Sequence, residues 1–350
     1  GRDLAGMFAQ PANALKPGYW RMVADILRFY RAAPDIPNQP GAAEMTLGRY
    51  LHENRYARSF IDNHIIPMGA AIWSTPADQM LDYPLLSFIS FCRNHGLLQL
   101  QDRPQWRTVQ NGSRSYVTRL LADFDGRLIL NRPIRSVRRS EQGVTVEAHH
   151  GWQGQYDHVV LACHADQALS MLDAPDSDEQ QVLSAFRYQR NRAILHSDRA
   201  LMPKRRRAWC SWNYLADRSR AQRELCVTYW MNNLQPIAGG RDYFVTLNPI
   251  REPRVGSILR SFLYDHPIYD LDARAAQKRL WALQGRRNIW FCGSYTGYGF
   301  HEDGLQSGLA VAEALGGQLR PWQVPAGSDR VNLPADWPAG CGQPSREHAA

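Results

Sequence analysis

The segment from Asn288 to Gly317, NIWFCGSYTGYGFHEDGLQSGLAVAEALGG, constrains the fold of this chain more than any other. Ile289 to Cys292 form a short apolar run of the kind that makes a strand buried on both faces. Gly293, Gly297 and Gly299 follow, and their missing Cβ atoms let a ligand come close to the backbone. Asp303 is placed to cap a helix, with Gln306 completing a capping-box-like pair. Leu305, Leu309, Ala312 and Leu315 then predict one apolar helix face, which Gly316-Gly317 ends. A helix that starts where a strand stops aims free N–H groups and a positive dipole end at one spot, suited to an anionic or electron-rich ligand. The plainer alternative is a strand-to-helix turn that binds nothing.

The rest of the chain reads as a mixture of helix and strand. Residues 18–100 are mainly helical: Trp20, Val23, Ile26, Leu27 and Tyr30 recur at helical spacing, a second helix is predicted over 46–58, and another over 83–96. PDIPNQPG at 34–41 breaks the helical pattern, and Trp73-Ser74-Thr75-Pro76 marks either a ligand-side break or a helix-ending turn. Three strands are predicted at Ile134–Arg138, Val144–Ala148 and Tyr156–Ala162, separated by turns at Gln142-Gly143 and Gly151–Gly154. Between 180 and 265 the runs RAILHSD, AWCSWNYL, LCVTYWMN, YFVTLNP and ILRSFLYD predict a mainly antiparallel sheet, in which Tyr229 and Trp230 are either an aromatic wall or core. A helix over 272–284 leads back to the glycine-rich segment, and the Pro- and Gly-rich tail beyond about 320 is expected to be flexible.

Composition bounds the function. With 350 residues, two domains or one interleaved pair are expected. The net charge of +8 gathers partly at Lys204-Arg205-Arg206-Arg207, Arg138-Arg139 and Arg286-Arg287. These clusters are either solvated ends or attractors of anionic lipid head groups. They form no stripe and carry no nucleic-acid motif, so nucleic acid is not an expected partner. Six scattered cysteines (92, 163, 210, 226, 292 and 341) include no C-x-x-C pair, which fits a reducing cytoplasm and argues against a disulfide framework or a zinc site. His301-Glu302-Asp303 are consecutive and do not make a metal site.

The segment at 288–317 resembles the C-terminal flavin-binding signature of the amine oxidase and phytoene desaturase superfamily of FAD enzymes. TYWMNNLQP (228–236), VTLNP (245–249), YDHPIYD (264–270) and FCGSYTGYGFHEDG (291–304) narrow the resemblance to a bacterial subgroup. Its members are described as predicted NAD/FAD-binding proteins and are often encoded beside cyclopropane-fatty-acid-synthase-like methyltransferases. WRTVQNGSRSYVTRLLADF (106–124) is similar to a family segment with a Gly-Gly pair before a helix, with Asn111 in place of the first glycine. DHVVLACHA (157–165) resembles the strand that returns the chain to the dinucleotide domain.

The resemblance implies an α/β fold, α+β overall, in an interleaved two-domain flavin amine oxidase-like architecture. A Rossmann-type FAD-binding domain would comprise 104–168 and 285–318. A substrate domain of helices and a mainly antiparallel sheet would comprise 1–103 and 169–284, with a flexible tail at 319–350. FAD is the implied cofactor: Val137 would lie near the adenine, Ala162 near the cofactor, Gly293 and Ser294 beside the ribityl and pyrophosphate region, and Asp303, Gly304, Leu305 and Gln306 would face the flavin. Many relatives have an acidic residue where this chain has Ser294.

No G-x-G-x-x-G fingerprint follows a strand here, and the chain opens at Gly1 in a sequence that resembles a point past the family's first βαβ unit. The expectation is therefore a chain that lacks that unit and folds poorly alone. The implied reaction is hydride transfer from a substrate carbon to flavin, with Tyr298 and His301 the candidates to touch substrate or flavin. The subgroup's gene neighbours point to an unsaturated or branched acyl substrate and a methyltransferase partner, and the basic clusters and aromatic content allow peripheral membrane contact. An amine substrate is the alternative within the same mechanism. A non-catalytic protein that binds acyl chains or a partner is the alternative from another class.

Overall fold

A computed structural model describes residues 9–76, 79–216, 226–319 and 330–337. Cys341, the opening of the chain and the remainder of the tail lie outside the described residues. The described chain begins with helices α1 (Pro17–Ala32), α2 (Leu47–Glu53), α3 (Ile66–Trp73), α4 (Leu85–Asn94) and α5 (Ser113–Ala122). Strands β1 (Ile134–Ser140), β2 (Gly143–Ala148), β3 (Gln153–Tyr156) and β4 (Val159–Leu161) follow, then α6 (Ala165–Met171) and α7 (Ser177–Ser184). Next come β5 (Tyr188–His196), β6 (Trp212–Leu215), β7 (Cys226–Trp230), β8 (Phe244–Leu247) and β9 (Ile258–Pro267). The last elements are α8 (Leu271–Arg279), β10 (Ile289–Phe291) and α9 (His301–Ala314).

The chain forms two compact units, 1–126 with 189–266, and 127–188 with 267–350. The helical part of the first unit is built around Phe29, fully buried and ringed by Tyr50, Tyr56, Phe60 and Phe88 at centroid distances of 5.7 to 6.3 Å. Pro17 opens α1 where a missing N–H costs nothing, and Thr46 caps α2 by accepting from Arg49 N–H at 3.2 Å. A π-helical turn, Ile61–Ile65, feeds α3 and turns His64 toward the Tyr30 hydroxyl, 3.3 Å away.

The second part of this unit is a sheet in the order β6-β7-β8-β5-β9, antiparallel wherever its register is resolved. Thr228 pairs with Thr246, and both are buried. Their hydroxyls meet at 2.8 Å, and His196 Nε2 lies 2.7 Å from Thr246 Oγ1. The Asp198 N–H donates to His196 Nδ1 at 3.1 Å, so the neutral ring carries its proton on Nε2 and donates into the threonine pair. Burial holds the His196 pKa below the ordinary histidine range, which keeps the ring neutral inside the sheet.

The second unit has an antiparallel meander, β1-β2-β3, and a parallel pair, β4 and β10. The strand expected over Tyr156–Ala162 is in fact two elements. β3 ends its pairing with β2 at Tyr156↔Val144, the chain bends at Asp157-His158, and β4 then pairs with β10. Alternation along the sequence could not show this, because one run of strand-forming residues serves two sheets. Gly154, read as part of a turn, lies within β3. Helices α6, α7 and α8 contribute Ala168, Val182, Leu183, Ala273 and Ala276 to one core with Leu161, Ile289 and Phe291.

Helix α7 starts with a reciprocal cap: Glu179 N–H donates to Asp176 Oδ1, and Asp176 N–H donates to Glu179 Oε2, both at 2.9 Å. The tail also departs from expectation where it is described. Val331 is buried with Trp281 and Ala310, and Trp337 donates from Nε1 to the Ala310 carbonyl at 3.2 Å. Apolar anchors two turns apart outweigh the local glycine and proline content there.

Candidate functional site

In the second unit two parallel strands end side by side. β4 and β10 run in register from Val159↔Ile289 to Leu161↔Phe291, and Cys292 N–H continues the ladder to the Leu161 carbonyl at 3.2 Å. The carboxyl ends of neighbouring parallel strands are the usual ligand position in α/β sheets. Gly293 follows at φ +157°, and a Cβ there would lie 2.7 Å from the Tyr295 ring and 3.3 Å from the Cys163 carbonyl. Only glycine lets the chain turn there without displacing both neighbours.

The turn is stitched to α9. Gly293 N–H donates to Ser307 Oγ at 3.0 Å, and the Ser307 hydroxyl points back at the carbonyls of Gly304 and Gly293, 3.0 and 3.2 Å away. Gln277 from α8 reaches across with Nε2, donating to the carbonyls of Tyr295 at 2.9 Å and Gly297 at 2.6 Å. Tyr269 fills the space beside Gly299, where a Cβ would come within 2.6 Å of the phenol oxygen. Its hydroxyl lies 3.4 Å from the Ser294 carbonyl.

Asp303 is not the N-cap residue of α9 but closes the cap from inside the helix. Phe300 occupies the N-cap position and Asp303 is the third residue of the helix. Its carboxylate folds back to accept the Phe300 N–H at 2.8 Å and takes two bonds from Arg330, Nε to Oδ1 at 2.9 Å and Nη2 to Oδ2 at 3.2 Å. Burial pushes the Asp303 carboxyl above the usual aspartate range, against the pull of Arg330 and the backbone N–H groups. Gln306 does not complete a box; its Nε2 donates to Glu302 Oε1 at 2.7 Å.

The apolar face expected on α9 is also rotated. Leu305 is 52% exposed, and Ala312 and Leu315 are exposed, whereas Asp303, Gln306, Ser307, Ala310 and Val311 are buried. The helix is docked by its small and polar stripe, because Ser307 and Asp303 have partners below it.

The candidate cofactor residues fall into two neighbouring groups. Val137 and Ala162 line one largely apolar cavity of about 460 Å³, together with Trp152, Val160, Leu161 and Cys163. The Val137 carbonyl accepts from Asp173 N–H at 3.0 Å, and Val137 is at the same time part of the core with Val144 and Leu161. Gly293, Ser294 and Gly304 form the second group at the turn. Cys163 joins the two, lining the cavity while its carbonyl borders Gly293. Tyr298 is buried and His301 exposed, so the two candidates that would touch substrate sit in different surroundings.

Burial raises Cys292 to about 11 and also raises Cys163, so both are protonated thiols at neutral pH. Among the described residues no group of three or more His, Cys, Asp or Glu side chains could hold a metal ion.

The fit to a flavin can be tested on the glycines. A Cβ at Gly304 would meet nothing closer than Ser294 N at 3.8 Å, and one at Gly308 would meet nothing within 4 Å. The first two turns of α9 therefore leave their glycine side open, beside the backbone of a turn that tolerates only glycine. These residues fit a planar group laid against Ser294 and Gly304. Four residues at the site had no role from sequence, among them Gln277 inside the helix expected over 272–284. Ser307 carried a signal, as a small polar residue one turn after Asp303. Tyr269 sits within a quoted motif but had no assigned role. Arg330 gave no signal in a Pro- and Gly-rich tail.

Comparisons with known proteins agree with this geometry. The family model for flavin containing amine oxidoreductase matches residues 65–204. In fold the chain is similar to a putrescine oxidase variant, with a TM-score of 0.59 and 14% identity over 85% of this chain and 74% of that one. It is similar too to the CLA-producing fatty acid isomerase from P. acnes, at 0.56 and 14% over 83% and 73%. Cyclohexylamine oxidase from Brevibacterium oxydans gives 0.54 and 14% over 84% and 76%. No curated protein matches the sequence. The family match spans residues 65–204, and the solved structures, at 14% identity, show a flavin amine oxidase-like fold. The chain's particular substrate is a separate question.

Proposed function

We propose that this protein binds FAD against the Gly293-Ser294 turn and the first turns of α9, and oxidises or desaturates a lipid-like substrate with an unsaturated or branched acyl chain. The observation that carries the reading is the glycine turn at the paired ends of β4 and β10, held against an open glycine face on α9. The chemistry a bound flavin supplies is acceptance of a hydride from a substrate carbon. The residues of this chain hold the site. Ser307, Gln277 and Tyr269 fix the backbone from Gly293 to Gly299, so the shape of the turn is set before any ligand arrives.

The acyl assignment comes from the subgroup that the segments 228–236, 245–249 and 264–270 resemble. The likeness in fold to a fatty acid isomerase is compatible with it. A small amine is the alternative, since two of the similar folds belong to proteins named as amine oxidases.

The test is the visible absorption spectrum of the chain purified with FAD, followed by anaerobic titration with acyl and amine panels. A retained oxidised-flavin spectrum bleached by an unsaturated acyl compound supports the reading. Bleaching by amines alone replaces the substrate, and a chain that never retains flavin removes the oxidoreductase assignment. The acyl reading carries with it a peripheral contact with anionic lipid, and failure to co-sediment with anionic vesicles would count against that part.

A further inference from the structure

One side chain from the tail touches the flavin-facing loop at several points. Arg330 is largely buried and binds the fully buried Asp303 carboxylate with two nitrogen atoms. That carboxylate holds the Phe300 N–H. The Arg330 guanidinium carbon lies 5.6 Å from the centre of the Tyr298 ring. Its backbone carbonyl closes the other side of the loop: a Cβ at Gly297 would come within 2.6 Å of it and 2.4 Å of Asp303 Oδ1. Residues 297, 298, 300 and 303 are therefore all referenced to Arg330. The segment that carries it is itself anchored, through buried Val331 and through Trp337, whose ring lies 5.0 Å from Trp281.

We propose that Arg330 is a positioning residue for the cofactor site, acting through Asp303 and Tyr298 to hold the loop from Gly297 to Phe300 and the start of α9 in the shape that receives the flavin. The physical reason is asymmetric. A buried carboxylate with a two-pronged guanidinium partner has one favourable geometry, and a buried carboxylate without it has none. Removing the arginine charge therefore releases the loop rather than merely deleting a contact. Lysine, a point charge without the planar fork, restores charge but not orientation. The proposal rests on the flavin reading above, and the experiment separates the two.

The experiment compares the full chain with Arg330→Met, Arg330→Lys and the Asp303→Asn/Arg330→Met double variant. Amide hydrogen exchange is followed by mass spectrometry over 297–304, with β1 and β2 as the internal reference, and FAD affinity is read by quenching of flavin fluorescence. The expected result is exchange at least roughly tenfold faster over 297–304 in Arg330→Met, little change in β1 and β2, and partial recovery in the double variant, where no uncompensated charge remains. FAD affinity should fall by about tenfold or more in Arg330→Met and by less in Arg330→Lys.

Unchanged exchange over 297–304 in a folded Arg330→Met protein overturns the proposal. So does faster exchange with parental FAD affinity. If Arg330→Met does not fold, Arg330→Lys gives the same two readouts and decides on the same terms. A parental chain that binds no FAD strikes the cofactor reading instead, and the exchange measurement then decides the loop assignment alone.

Discussion

Helices α9 and α5 start in nearly the same way and end up in opposite surroundings. Each follows a glycine in the left-handed region, Gly299 at φ +91° before α9 and Gly112 at φ +76° before α5. Before α5 the preceding Asn111 is also left-handed, at φ +65°, which asparagine tolerates better than most residues. Yet α9 buries Asp303, Ser307, Ala310 and Val311, while α5 buries none of its residues and leaves Val117, Leu120 and Leu121 at 44, 64 and 44% exposure. The glycine fixes where a helix begins. What docks it is a set of partners from other elements, and α9 has Gln277, Arg330 and the Gly293 turn.

The strongest way to break this contrast is to crowd the loop before α9. Gly297→Ala places a methyl group against both Asp303 Oδ1 and the Arg330 carbonyl, and backbone cannot yield as a side-chain end can. We expect a loss of about 3 kcal/mol in urea unfolding, and an unchanged midpoint would show that the loop is not jammed.

A third helix start sharpens the comparison by pH. His64, in the π-helical turn that feeds α3, is stacked on Phe60 at 5.6 Å, and burial lowers its pKa from 6.5 to about 4, with the Arg103 charge adding to it. Between these values the unfolded chain binds a proton that the folded chain does not. The contribution is therefore full above pH 6.5 and declines as pH falls toward 4, by about 3 kcal/mol in all. His64→Gln should flatten that slope in urea midpoints taken across the range; an equally steep slope in the variant would assign the loss to other groups.

The smallest effects test the contrast most directly. Ser307→Ala removes a single oxygen but leaves the part-buried Gly293 N–H without its acceptor, for about 1–2 kcal/mol. Leu121→Ala removes far more apolar surface from α5, yet should change stability by less than about 0.5 kcal/mol because that surface is already in water. If the leucine proves the costlier change in the same urea experiment, α5 is covered in solution and the comparison fails.

These contrasts explain what was legible in the sequence. The glycine turn, the strand before it and the helix after it could be read directly, since each is a local preference of a few residues. The five strands of the first unit's sheet were legible for the same reason, and so was the tendency of α4 and α8 to be helical. The rotated face of α9 was not legible, because periodicity weighs only apolar character and gives no weight to the buried Asp303, Gln306 and Ser307. The division of the run at Tyr156 into β3 and β4 was invisible too, since both halves favour strand and only pairing partners distinguish them.

The sequence by itself determined much of the local backbone: the turn at Gly293, the strand before it, the helix after it and the strands of the first unit's sheet. Only the tertiary structure decided what Asp303 does. Read locally it is a helix cap; folded, it still holds the Phe300 N–H but is also the buried partner of Arg330, 27 residues further along the chain. The reason is physical. Turn and helix preferences act between neighbours along the chain and are written in neighbouring residues. The desolvation that makes a carboxylate demand a guanidinium arises only when distant segments close over it.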